Sequence, residues 1–151
     1  AALTERGVRY QKLTRGSLLE QTAAEIANAR VVGWFQGRME WGPRALGNRS
    51  ILADPRSKDA KDLVNTKIKF REPFRPFAPA VIAESTENYF SLPNHDEQIP
   101  ARFMLLVVPV KDDKLETIPA VNHMGTSRIQ APALDVTMIR RTIPVDEGFH
   151  L

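Results

Sequence analysis

Residues 37–50, with the sequence GRMEWGPRALGNRS, are the stretch that most limits how this chain can fold. Three glycines and Pro43 make a helix or strand costly there, because glycine loses much conformational entropy and proline lacks a backbone donor. Short apolar runs lie on both sides, VVGWFQ at 31–36 and SILAD at 50–54. We predict that the stretch is a loop between two strands and that it borders a concave site.

The composition of the chain excludes several classes of protein and of functional site. The 151-residue chain is one domain by length, and it contains no cysteine, which excludes a disulfide framework and a thiolate nucleophile. Its three histidines are widely spaced, so we predict no metal site within this chain. No apolar run approaches the roughly 20 residues that span a bilayer. The chain does not open on a signal peptide, which predicts a cytoplasmic protein without a membrane partner.

The positive charge is local. Residues 37–75 hold ten Lys or Arg and five acidic residues, whereas the rest of the chain holds eleven basic and thirteen acidic residues. A local excess of positive charge indicates an anionic ligand for this segment. Nucleic acid and a phosphorylated small molecule are the two candidates. The chain has no GxxxxGK[ST] phosphate loop, no GxGxxG, no HExxH and no GxSxG motif.

The pattern of apolar residues predicts an α/β or α+β protein. Ser17 and Glu20 form a capping-box pattern before a helix near 18–29, and Ser57 is the expected N-cap of a helix near 57–67. We predict strands near 31–36, 50–54, 78–83 and 103–110. Residues 91–101 are predicted to form a polar loop.

The basic segment has the parts of an oxyanion-binding site. Arginine binds phosphate or carboxylate in a planar, bidentate manner, and glycines let backbone N–H groups approach an anion. A second cluster, KIKFREPFRPF at 67–77, adds two lysines and two arginines, and HMGTSR at 123–128 adds hydroxyls and one arginine. The ordinary alternative is that Arg38 and Arg49 form surface ion pairs with Glu40 and Asp54.

Two longer stretches carry a resemblance to a known family. They are GRMEWGPRALGNRSILADPR followed by NTKIKFREPFRPFAPAV, and IPAVNHMGTSRIQ at 118–130. Together they resemble the C-terminal domain of the NodU/TobZ carbamoyltransferase family. The resemblance implies a YrdC-like fold, a mixed twisted β-sheet flanked by helices. It also implies that a larger ASKHA-type domain, which holds the family's iron or other metal site, precedes this domain and completes the transfer.

The resemblance further implies the chemistry and the residues. In this family the YrdC-like domain makes carbamoyl adenylate from carbamoyl phosphate and ATP, with magnesium, and the other domain passes the carbamoyl group to a hydroxyl acceptor. The ligand-binding cations then correspond to Arg44, Lys69, Arg75 and Arg128. Arg44, Lys69 and Arg75 would also be catalytic, by stabilising charge on the phosphates. We add Arg49, His123 and Thr126 to the predicted ligand-binding set.

The chain departs from the family pattern after Gln130. The residues that follow, APALDVTMIRRTIPVDEGFHL, contain neither the expected helix nor the family's NTSFN segment. We therefore predict an incomplete YrdC-like domain at 1–130 and a divergent tail, truncated or altered, at 131–151. Because the ASKHA-type domain is absent, we do not expect this chain alone to complete a carbamoyl transfer.

Two other interpretations remain open at this point. In the first, the chain is a non-catalytic nucleotide-binding or interaction module whose altered C terminus forms a partner or homodimer surface. In the second, which we rank last, it binds RNA. RNA recognition needs aromatic side chains beside the positive charge. The candidate aromatic residues are Trp34, Trp41, Phe70, Phe74 and Phe77.

Overall fold

A computed structural model of the protein describes residues 2–131 and 149–150. The α-helices in this part of the chain are α1 (Ala2–Glu5), α2 (Arg15–Ala27), α3 (Ala60–Val64), α4 (Thr86–Tyr89) and α5 (Ile99–Arg102). The strands are β1 (Val32–Phe35), β2 (Arg49–Leu52), β3 (Ala80–Val81), β4 (Leu106–Pro109), β5 (Thr126–Ile129) and β6 (Phe149–His150). A π-helical turn (Asn65–Lys69) and 3-10 turns at Ala83–Ser85, His95–Glu97 and Asp112–Lys114 complete the set. The predicted α+β class is confirmed.

Helix α2 begins earlier than predicted. Its N-cap is Thr14, whose Oγ1 accepts a hydrogen bond from the backbone N–H of Ser17 at 3.2 Å. The predicted Ser17–Glu20 capping box is therefore wrong, because a threonine three residues upstream offers the same hydroxyl. The helix predicted from the spacing of apolar residues is confirmed, because Leu19 and Ile26 are buried on one face of α2.

The first two strands form an antiparallel hairpin, in which Val32 lies opposite Leu52 and Phe35 opposite Arg49. This confirms the strands predicted near 31–36 and 50–54. Trp34 and Leu52 of this hairpin pack against α2 in one apolar cluster, so helix and hairpin form a unit. The hairpin presents the loop of residues 37–48 at its end.

The helix predicted at 57–67 differs at both ends. It begins at Ala60, and the Ser57 carbonyl accepts the Ala60 N–H at 3.2 Å, while no side chain caps the helix. The assignment of Ser57 as N-cap is therefore wrong. At its other end α3 continues into the π-helical turn, which ends where Phe70 adopts a left-handed conformation with φ of 48°. Single π-helical turns occur frequently at functional sites.

The remaining strands form two antiparallel pairs that a parallel bridge connects. Strand β4 pairs antiparallel with β5, and β3 pairs antiparallel with β6. Gln130, the residue after β5, makes a parallel bridge to Ala80, which places β3 beside the β4–β5 hairpin. The strand predicted at 103–110 starts only at Leu106, because the chain first forms α5 and a turn. That helix and the 3-10 turn before it occupy the predicted loop at 91–101.

The largest apolar cluster lies under the β4–β5 hairpin. Its buried members are Val81, Tyr89, Phe90, Leu92, Ala101, Val108, Val110, Ile118, Val121, Ile129 and Ala131. No helix within 2–131 is long and apolar enough to cross a membrane. The predicted tail at 131–151 lies outside the described residues, apart from Ala131 and β6.

Candidate cation-lined anion site

The loop of residues 37–48 is folded around the side chain of Glu40. Its Oε1 atom accepts hydrogen bonds from the backbone N–H groups of Leu46 at 2.7 Å and Asn48 at 3.0 Å. Gly42 and Gly47 adopt φ values of 110° and 126°, which only glycine tolerates without strain. The loop prediction is confirmed for residues 37–48, while the last two residues of the predicted stretch belong to β2.

The ion pairs considered from the sequence do not form. Glu40 binds backbone N–H groups, and Asp54 binds Arg56 at 2.7 Å, so neither carboxylate pairs with Arg38 or Arg49. Local geometry explains this, because Arg56 lies only two residues from Asp54 and chelates it through Nε and Nη2.

Arg49 is occupied by the ends of the loop. It donates to the carbonyl oxygens of Gln36, Asn48 (2.9 Å) and Gly37 (3.3 Å). Its guanidinium also lies 3.5 Å from the centre of the Phe35 ring. These contacts hold the loop closed at its base, and the predicted phosphate contact of Arg49 stays a prediction.

A buried glutamine ties this loop to β5. The Gln130 side chain is 2% exposed, and its Nε2 donates to the carbonyl of Leu46 at 2.9 Å. Gln130 is the second residue after Arg128, so the same bond brings the loop that contains Arg44 next to the strand that contains Arg128.

Arg128 lies on the outer face of β5. Along this strand Ser127 and Ile129 point into the core, so Arg128 and Thr126 share the opposite face. The Nε atom of Arg128 is buried without a hydrogen-bond partner among the described residues. Burial lowers the pKa of Arg128, and the nearby positive charges of Arg44 and Arg71 lower it further. Arg44, Arg71 and Arg128 thus form a cluster in which the charges of two arginines from other segments both act on Arg128.

Arg71 is the member of this cluster that the sequence did not single out. Its Nε donates to Oδ1 of Asn65 at 2.7 Å, and its guanidinium lies 4.7 Å from the centre of the Phe77 ring. Burial lowers the pKa of Arg71, the charge of Arg75 lowers it further, and Glu72 opposes the shift. The only signal in the sequence was membership of the basic cluster at 67–77, which does not distinguish one cation from another.

Arg75 and Lys69 are more exposed. Arg75 pairs through Nε with the Glu72 carboxylate at 2.8 Å, and both side chains are about half exposed. The charge of Arg75 lowers the pKa of Arg71, so Arg75 lies next to the cluster. Lys69 ends the π-helical turn as an exposed residue, and its ammonium group makes no hydrogen bond or ion pair with the residues of 2–131. No contact in the described structure joins Lys69 to Arg44.

The predicted residues His123 and Thr126 form a turn before β5. The His123 N–H donates to the Thr126 carbonyl at 2.8 Å, and the Thr126 Oγ1 donates to the His123 carbonyl at 2.8 Å. The turn places Thr126 on the same face of β5 as Arg128, while His123 is exposed.

The described residues contain no group of three or more His, Cys, Asp or Glu that could hold a metal ion. The cluster of Arg44, Arg71 and Arg128 is instead suited to a multivalent oxyanion, which would satisfy the free guanidinium donors and offset the like charges.

Comparison with known proteins identifies what this chain is similar to. A family model described as the carbamoyltransferase C-terminus matches residues 23–137. Nodulation protein NolNO of Sinorhizobium fredii is 50% identical over 116 residues, which are 76% of this chain and 17% of that protein. Nodulation protein NolO of Bradyrhizobium diazoefficiens is 45% identical over 134 residues, 87% of this chain and 23% of that protein. The chain thus spans about a fifth of the length of these curated relatives.

Proposed function

The chain belongs to the carbamoyltransferase family, as its C-terminal domain, and we propose that it binds ATP and carbamoyl phosphate at the cation-lined site. The observation that carries the proposal is the Nε of Arg128, which is buried, has no hydrogen-bond partner among the described residues, and lies near the charge of Arg44. A buried donor without a partner costs free energy. A bound phosphate oxygen would satisfy it and neutralise the repulsion between the two arginines.

The proposed reaction is formation of carbamoyl adenylate. Water splits carbamoyl phosphate into carbamate and inorganic phosphate, and a carbamate oxygen then attacks the α-phosphorus of ATP. The bond from that phosphorus to the bridging oxygen breaks, and pyrophosphate leaves with the electron pair. Arg44, Lys69 and Arg75 stabilise the charge on the departing pyrophosphate, a task that needs positioned cations and no protein nucleophile. The magnesium that accompanies ATP would contribute in the same way.

Transfer of the carbamoyl group to a hydroxyl acceptor needs a part of the protein outside this chain. The curated relatives are several times longer than the stretch that matches here. We assign this second step to an ASKHA-type domain, as the family resemblance implies. The acceptor would be selected there.

The first test is the melting temperature of the 151-residue chain with pyrophosphate. An anion that binds only the native state adds roughly 2.7 kcal/mol at about a hundred times its dissociation constant. For a domain of this size, that raises the melting temperature by roughly 5 to 10 °C. Arg44→Gln and Arg128→Gln should each remove most of this rise.

Lys58→Gln is the matched control, because it removes one positive charge from an exposed residue that pairs weakly with Glu116 at 3.8 Å. Equal loss in the Lys58 and Arg44 variants would mean diffuse charge screening and would refute the site. Exchange of labelled pyrophosphate into ATP that depends on carbamoyl phosphate would then test the reaction.

RNA binding is the second candidate, and one observation favours it. Trp41, Phe70 and Phe74 are 100%, 83% and 67% exposed, whereas Trp34 is buried and Phe77 packs against the core. Exposed aromatic rings beside cations can stack on bases. RNA affinity would fall steeply with salt and would depend on Trp41, whereas one-site nucleotide binding would not depend on Trp41.

A further inference from the structure

We propose that two copies of this chain pair through strand β1, about a two-fold axis, so that their two-stranded hairpins join into one four-stranded antiparallel sheet. The inference goes beyond the proposed function, since it assigns a partner to the face formed by β1 and α2 and does not involve the cation-lined site. It rests on three features of that face: an unpaired strand edge, an open groove beside it, and a pattern of residues that is complementary to itself.

The edge of β1 that faces away from β2 has no neighbouring strand among the described residues. The Gln36 N–H donates to the Asn48 carbonyl at 2.9 Å on the β2 side. Backbone groups alternate in direction along an antiparallel strand, so those of Gly33 and Phe35 point away from β2. No described residue binds them. An unpaired edge of this kind can take up a strand from another chain.

A groove of about 380 Å³ follows this edge, between β1 and α2. Its helix side is formed by Arg15, Leu18 and Thr22, whose spacing places them in one row along α2. Leu18 is 41% exposed, and Phe35 on the strand is 76% exposed. Gly33 faces open space, because a Cβ atom added there would meet no heavy atom within 4 Å. The groove is therefore open and largely apolar, and backbone donors and acceptors border it, as in sites that bind an added strand.

The edge of β1 is complementary to a second copy of itself. When the two-fold axis passes beside Trp34, Gly33 of each copy lies opposite Phe35 of the other. The outward N–H and carbonyl groups of these residues then bind one another in both pairs. Each Phe35 ring also covers the backbone that the opposite glycine leaves bare, an arrangement that stabilises glycine in a strand.

Helix α2 fits the same symmetry. It packs on Trp34 of β1 and Leu52 of β2, so it lies above the space between the two strands. Neighbouring strands about 4.8 Å apart would then place the two copies of α2 roughly 10 Å apart, which is an ordinary helix-packing distance. Leu19 belongs to the same cluster as Trp34, so the axis passes near the middle of the helix. The two helices are antiparallel, and Leu18 of each packs against Thr22 of the other.

The charges at the ends of this helix row match across the axis. Arg15 precedes Leu18 by three residues, and Glu25 follows Thr22 by three. The antiparallel helices therefore bring Arg15 of one copy to Glu25 of the other. Within one chain Glu25 pairs with Arg30 at 2.9 Å, and the two side chains are 43% and 72% exposed. Such an exposed pair contributes little, so Glu25 can take a second cationic partner. This complementarity favours a second copy over an unrelated strand.

The test is sedimentation velocity of the 151-residue chain over a range of concentrations. We expect a species of twice the 17.0 kDa mass of one chain, in reversible exchange with the monomer. A mass of one chain at every concentration would overturn the proposal and leave the groove to a strand from another part of the full-length protein. Species that grow beyond two copies would also overturn it, because a two-fold interface closes on itself.

Two substitutions locate the interface. Leu18→Glu places a carboxylate in the groove, and Gly33→Pro removes an N–H that points away from β2. Each should raise the dissociation constant of the dimer at least about tenfold. Leu105→Glu is the matched control, because Leu105 lies outside the groove and is 62% exposed, and it should change the constant by less than about twofold. A dimer that all three substitutions affect equally uses another surface, which would overturn the assignment to β1.

A charge exchange tests the orientation of the two copies. Arg15→Glu and Glu25→Arg should each weaken the dimer by about two- to fivefold, whereas the double variant should return to within about twofold of wild type. The double variant keeps the original net charge, so recovery reports the contact between copies rather than a general charge effect. A double variant that binds more weakly than either single variant would overturn the antiparallel arrangement of the helices.

Discussion

Glu40 provides the sharpest test of how the loop of residues 37–48 is built. In Glu40→Ala the N–H groups of Leu46 and Asn48 lose the carboxylate oxygen that accepts from them at 2.7 Å and 3.0 Å. The loop then lacks the contact that draws its second half back onto its first. Because Arg44 lies between the two halves, its position depends on this contact as well.

The magnitude follows from the two bonds. A hydrogen bond to a charged group contributes roughly 1.5 to 3 kcal/mol, and each exposed N–H recovers part of this from water. The loop is partly exposed, so we expect Glu40→Ala to lower the free energy of unfolding by about 2 to 3 kcal/mol. Glu40→Gln keeps one acceptor oxygen but loses the charge, and it should lower the free energy by roughly half as much.

Urea unfolding followed by tryptophan fluorescence measures these changes. Trp34 is buried and reports the state of the first hairpin. Met39→Ala is the matched control, because Met39 precedes Glu40 and is 86% exposed, and it should change the free energy of unfolding by less than about 0.5 kcal/mol. If Glu40→Ala unfolds at the same urea concentration as Met39→Ala, Glu40 does not organise the loop.

Three further predictions concern other parts of the molecule. Gln130→Leu leaves the Leu46 carbonyl without its donor at 2.9 Å and should cost roughly 1 to 3 kcal/mol in urea unfolding; an unchanged midpoint would contradict this link. Phe90→Ala, at a residue that is 0% exposed in the largest cluster, should cost roughly 3 to 5 kcal/mol in the same assay. Its own backbone N–H and then Arg75 stabilise the Glu72 carboxylate and lower its pKa from the usual value, so the stability that this carboxylate contributes is present at neutral pH and is lost as the pH falls through the lowered pKa. An NMR titration should show that midpoint, and Arg75→Gln should move it upward.

Local patterns predicted several elements well. The spacing of Leu19 and Ile26 indicated the buried face of α2, and the apolar runs on either side of residues 37–48 indicated the first hairpin. Glycine and proline content was enough to predict the loop between them. These features depend on neighbours a few residues apart, which is why the sequence alone reveals them.

The ends of elements were harder to predict. Thr14 and Ser17 both carry a hydroxyl that can cap a helix, and only the path of the preceding chain selects Thr14. The π-helical turn after α3 was not predicted, because it depends on the contacts of Asn65 with residues up to ten positions ahead. The pairing partner of Glu40 was also missed, since its backbone donors become available only when the loop closes.

The sequence therefore predicted the basic segment, but it did not predict which arginines the fold brings together. Charge, glycine content and family motifs identified a basic segment and named Arg44 and Arg128. The proximity of Arg44 to Arg128 depends on contacts such as the bond between Gln130 and Leu46, which lie 84 residues apart, and Arg71 approaches Arg128 from a third segment. Desolvation and repulsion between like charges depend on distances in the folded chain. Only the tertiary structure brings these guanidinium groups close enough to affect one another's pKa.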